Sequence, residues 1–136
     1  DGVVKGISDI GMSALGYTRG KFPLSEVIDL PLGYKNGLSA TRLINLYYQH
    51  FKPKEFEEAK VLYFHAHGPG ILHTKKPVQR LEDVKGLRIR STGLSSKVVS
   101  ALGGAAVAMP MGETYDALNR GMAEGSMAPI ESLEGW

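Results

Sequence analysis

The stretch from residue 81 to residue 120 constrains the fold more than any other part of the chain. Leu87-Arg88-Ile89-Arg90 alternates apolar and charged side chains, as a strand does when one face lies on a core. A helix is predicted over residues 94–102, a strand over 106–109 and a helix over 112–120, with Gly121 suited to cap it. Strands and helices that alternate in this way favour α/β layers around a largely parallel sheet.

The rest of the chain fits the same class. Val3, Val4 and Ile7 read as the tail of a helix, and residues 10–15 as a short strand. A loop bearing Gly and Pro leads into residues 27–30, which Pro31 ends. Ser39 is placed to cap a helix over 40–51, where Leu43, Leu46, Tyr47 and His50 recur at three-and-four spacing. Pro53 breaks that helix, and a second helical piece is expected at 55–60. Residues 61–66 are apolar, β-branched and aromatic, hence a strand; Gly68-Pro69-Gly70 interrupts it before 71–74 resume.

Composition removes several classes of function. A net charge of +2 creates no field that would select nucleic acid or a membrane surface. The absence of cysteine excludes disulfides, thiolate catalysis and zinc–thiolate sites. No apolar run reaches membrane-spanning length. The chain begins at Asp1 rather than Met, so it reads as excised from a longer protein.

Open parallel sheets bind ligands at the carboxyl ends of their strands. Arg90 ends such a strand, and Ser91, Thr92, Gly93, Ser95 and Ser96 lead into the next helix. A guanidinium there would stand beside the amide donors of a helix start, a setting that suits a carboxylate or phosphate. From chemistry alone, a surface arginine on a half-exposed strand is slightly preferred. His65-x-His67, with His73 nearby, raises a rival: a metal-dependent hydrolase in which two imidazoles on one strand face meet an ion. No carboxylate lies in that segment, and histidines hydrogen-bonded along a groove are the commoner arrangement. Gly103-Gly104 lacks the lysine of a phosphate loop and follows a helix, so a tight helix-to-strand connection explains it better. Ser13, Ser91 and Ser96 sit in no Gly-x-Ser-x-Gly elbow. Glu113, Asp116 and Glu124 read as a solvated helix face. These residues predict no catalytic group, no resident metal and no cofactor.

Five segments together resemble the extracytoplasmic solute-binding receptors of tripartite ATP-independent periplasmic (TRAP) transporters, the dicarboxylate-receptor (DctP-like) family. They are residues 6–11 (GISDIG), 22–31 (FPLSEVIDLP), 81–90 (LEDVKGLRIR), 109–118 (MPMGETYDAL) and 120–125 (RGMAEG), in the family's order and near its spacing. The resemblance implies a periplasmic-binding-protein-like α/β architecture, with mixed, largely parallel sheets flanked by helices in two lobes that close over a ligand. It implies a periplasmic location and, as partner, the membrane subunits of a TRAP transporter. Members are longer, so the chain is expected to be truncated at both ends. Residues 1–66 would then be part of the first lobe, 67–129 a hinge strand and part of the second, and 130–136 a return segment.

The family's characteristic binding arginine corresponds to Arg90, which reverses the preference for a surface role; Arg88 is expected to face solvent. Departures occur where some members carry a second arginine, here Gly70, and where an Asn often precedes the late proline, here Ala128. Ala14 and Tyr17 stand where an acidic and a basic pocket residue occur, and Gly93 and Met111 fall at two further lining positions. With Ser13 and His67, the expected ligand-binding set is Arg90, Tyr17, Gly70, Gly93, Met111, Ala128, Ser13 and His67. The implied ligand is a small organic monocarboxylate with an apolar or aromatic body, favoured over a C4-dicarboxylate, with no role for nucleic acid. A ligand-sensing domain of a signalling protein would share this fold and chemistry.

Overall fold

The computed structural model describes residues 1–135, which form two compact units, Asp1–Ala66 and the part from His67 onward.

The first unit is built on one long helix, α1 (Gly37–Phe51). Its start lies three residues before the predicted one. Asn36, not Ser39, is the cap: its side chain accepts from the Ser39 N–H at 2.9 Å, and Ser39 Oγ accepts from the Asn36 N–H at 3.3 Å. Lys52 takes a left-handed conformation with φ 42°, and Pro53 then prevents continuation. Ala40 and Ile44, one turn apart, are buried. Around them Tyr48, Phe56 and Phe64 meet edge to face at 5.3–5.7 Å, and Phe22 stacks on Phe56 at 5.0 Å. The predicted helical piece at 55–60 contracts to a single 3-10 turn, Lys54–Phe56.

Neither predicted strand of this unit forms. Residues 10–14 are irregular, Leu15–Tyr17 is a 3-10 turn, and Val3, Val4 and Ile7 lie in turns. A strand needs a ladder partner, and among the described residues 1–66 none is present. In its place, residues 61–66 are held by side chains of α1. Asn45 Nδ2 donates to the Phe64 carbonyl at 2.8 Å, and Asn45 Oδ1 accepts from the Phe64 N–H at 3.1 Å. Thr41 Oγ1 accepts from the Ala66 N–H at 2.9 Å. Asn45→Ala should therefore lower stability by about 1–3 kcal/mol, because both Phe64 backbone groups lose their partner. Urea unfolding reads this directly, and an unchanged midpoint would show that the segment is held by other means.

The second unit contains one four-stranded sheet in the order β1 (Ile71–Thr74), β4 (Gly125–Ala128), β2 (Arg88–Ser91), β3 (Ala105–Ala108). Strand β2 runs parallel to both β3 and β4, whereas β1 is antiparallel to β4. Helix α2 (Ser95–Ala101) links β2 to β3; α3 (Thr114–Asn119) follows a 3-10 turn at Met111–Glu113, and α4 (Ser132–Gly135) follows β4. Gly121 closes α3 with φ 68°, as expected of its cap. One sheet face carries Ile89, Leu72 and Met127 onto a core with Val84 and Val99. A Cβ on Gly104 would lie 3.1 Å from both Ile89 Cδ1 and Val99 Cγ1, so Gly103-Gly104 is the tight connection from α2 to β3.

Candidate ligand-binding site

Side-chain parity on the strands puts the functional candidates on the face opposite that core. Arg90 pairs with Ser126 on β4 and with Val107 on β3, and Ser126 pairs with His73 on β1. Partners in register share a face, so His73, Ser126, Arg90 and Val107 form one row across the sheet. Ala128, two residues beyond Ser126, lies on the same face. Above the β1–β4 half of this row is a cavity of about 210 Å3, lined by His73, Ser126 and Ala128 below and by Met111, Thr114 and Leu118 on the α3 side. Ser132 and Leu133 of α4 also line it.

Arg90 is 3% exposed, and its Nε donates to the Met109 carbonyl at 3.0 Å. That bond fixes the plane of the guanidinium fork and ties it to the turn that carries Met111. Arg88 is exposed instead, and its Nε pairs with Glu124 at 3.3 Å. Bonds from the Arg88 backbone N–H and then its guanidinium hold the Glu124 carboxyl below its usual range. The two arginines of the strand are thus distinguished by burial and partner.

The serine-rich turn after β2 is arranged differently from expectation. Ser91 Oγ meets Ser96 Oγ at 3.0 Å, and Ser95 Oγ accepts from the Thr92 N–H at 3.0 Å while donating to the Thr92 carbonyl at 2.5 Å. These hydroxyls bond to one another and to the turn, and α2 has only seven residues. Gly93 adopts φ 52° inside that turn. Gly70 is exposed just before β1, where a Cβ would lie 3.6 Å from Met127 Cγ. His67 is exposed, with Nδ1 2.7 Å from the Gly68 carbonyl. Ser13 is exposed and Tyr17 is 36% exposed; both belong to the first unit.

Of the expected set, Met111 and Ala128 line the cavity; Arg90 does not line it but lies in register with Ser126, which does; Gly70, Gly93 and His67 do not line it. His65 and His67 lie outside any strand, which removes the shared face that the metal reading required. Among the described residues, no three His, Cys, Asp or Glu side chains gather as a metal site would need. Sequence reasoning missed Ser126 and took His73 as a metal ligand or, more commonly, a hydrogen-bonded groove histidine; the pairing of β4 between β1 and β2 brings both to the site.

Residues 1–135 match bacterial extracellular solute-binding protein family 7. The chain belongs to that family. A TRAP periplasmic solute-binding protein from Desulfovibrio salexigens, in an open form with the C-terminus of a symmetry mate in its ligand-binding site, is 42% identical over 98% of this chain with a TM-score of 0.73. A TRAP solute-binding protein from Rhodoferax ferrireducens, in complex with copurified benzoate, is 33% identical over 98% of the chain with a TM-score of 0.89. Another from Bordetella bronchiseptica, with bound (R)- and (S)-mandelate, is 33% identical over 97% with a TM-score of 0.87. The chain covers 42% of the first of these proteins and 43% of each of the other two. Family 7 is a family of periplasmic binding proteins rather than enzymes, and the hydrolase reading falls with that assignment. The mixed sheet flanked by helices is the family 7 architecture.

Proposed function

We propose that this chain is the central part of a TRAP receptor that captures a small organic monocarboxylate, with Arg90 as the carboxylate anchor. Residues 1–66 would belong to the first lobe, 67–129 to the hinge strand and second lobe, and 130–136 to the return segment. The observation that carries the reading is the buried, oriented Arg90 at the end of β2 beside a cavity with largely apolar walls. A planar guanidinium suits a carboxylate bidentately, and Met111, Leu118 and Ala128 suit an apolar body. The benzoate and mandelate of the relatives are acids of that type. A volume of about 210 Å3 is below the ~300–1,000 Å3 of ordinary ligand pockets, consistent with a site completed by other parts of a longer receptor.

Calorimetric titration with phenylacetate tests this on two proteins, the receptor-length form and residues 1–136 alone. The longer form is expected to bind stoichiometrically. The shorter should bind at least about tenfold more weakly, and it should self-associate, because Ile7, Ile10 and Met12 are 74–93% exposed. A receptor-length protein that ignores monocarboxylates, or a monomeric 136-residue chain that binds equally well, would overturn the reading.

A further inference from the structure

We infer that His73 and Ser126 form a hydrogen-bonding subsite for a hydroxyl group at the end of the ligand remote from its carboxylate. The inference rests on the carboxylate reading of Arg90 and deepens it.

The tautomer of His73 follows from its bond to Ala128. Its Nε2 lies 3.1 Å from the Ala128 carbonyl, which can only accept, so Nε2 carries the proton. In the neutral ring Nδ1 is then an acceptor. His73 is half-buried and lines the cavity, whose accessible surface is largely apolar. Ser126 is the second observation. It is 5% exposed, it lines the same cavity, and its hydroxyl has no hydrogen-bond partner among the described residues. A buried hydroxyl without a partner is destabilising, and alanine would fill the position without that cost. A ligand hydroxyl can satisfy both groups at once: it donates to one and accepts from the other, with a rotation about the serine χ1.

The register sets the scale. His73, Ser126 and Arg90 occupy adjacent strands, so the backbone positions of His73 and Arg90 are about 9–10 Å apart with Ser126 between. An aromatic ring with a carboxyl-bearing arm on one side and a hydroxyl on the other bridges such a span.

The test compares phenylpropionate with its para-hydroxy derivative on the receptor-length protein. Wild type should bind the hydroxylated acid about tenfold more tightly. His73→Phe, which keeps a flat ring without the acceptor, and Ser126→Ala should each reduce that preference below about threefold. Thermal melts confirm that each variant folds, and Ser126→Ala serves where His73→Phe does not. Equal affinities in wild type, a preference that survives both changes, or equal weakening of both acids would overturn the subsite. Those outcomes leave the carboxylate reading standing. Failure of wild type to bind either acid would remove both.

Discussion

In the receptor-length protein, Arg90→Ala will weaken monocarboxylate binding roughly 30-fold or more, equivalent to a loss of about 2–5 kcal/mol. Most of that loss comes from stranding a desolvated carboxylate once its partner is gone. Arg90→Lys should recover only part of it, because an ammonium lacks the planar fork that the Met109 carbonyl holds in place. Arg88→Ala is the matched control. Its guanidinium is exposed and already engaged with Glu124, so affinity should change by less than about threefold. Calorimetry on folded variants gives all three values. A change under about threefold for Arg90→Ala, or a larger one for Arg88→Ala, would take Arg90 out of the site.

Selectivity against C4-dicarboxylates is the second large effect. One arginine neutralises one carboxylate, and burying another without a partner costs several kcal/mol. Ser126, the lining residue in register with Arg90, is not cationic, and neither are Ala128 and Met111. Lys75 does line the cavity, but its Nζ donates to the Leu118 carbonyl at the end of α3. Succinate and malate should therefore bind on the order of 100-fold more weakly than an arylacetic acid in the same titration. Comparable affinities would mean that a second basic group reaches the site.

The second unit was largely legible because its signals are local. Alternation at Leu87–Arg90 and the glycines after Leu102 each prescribe a backbone without reference to distant chain, and β2, α2 and β3 form within a residue or two of expectation. At α1 the error was also local: Asn36 and Ser39 are both capping types, and their reciprocal bonds make Asn36 the cap and Ser39 its third residue. Residues 10–15 and 61–66 were misread for a non-local reason. Their composition suits a strand, but a ladder partner decides whether one forms, and Asn45 and Thr41 act as side-chain substitutes for it at 64 and 66. The site divides along the same line. Arg90 was visible as the end of a strand before a serine-rich turn. His73 and Ser126 were not, because their adjacency depends on β4 inserting between β1 and β2, which no short-range pattern announces. Gly70 and Gly93, taken from family positions, and His67, taken from the His65-x-His67 pattern, do not line the cavity.

The proposed receptor holds one carboxylate and an apolar body. The most direct test is to purify the receptor-length protein without added ligand, release the bound small molecule by denaturation and identify it by mass spectrometry. The expected molecule is a monocarboxylic acid with an aromatic or branched apolar body, present at close to one equivalent. A C4-dicarboxylate or a neutral sugar at that stoichiometry would contradict it.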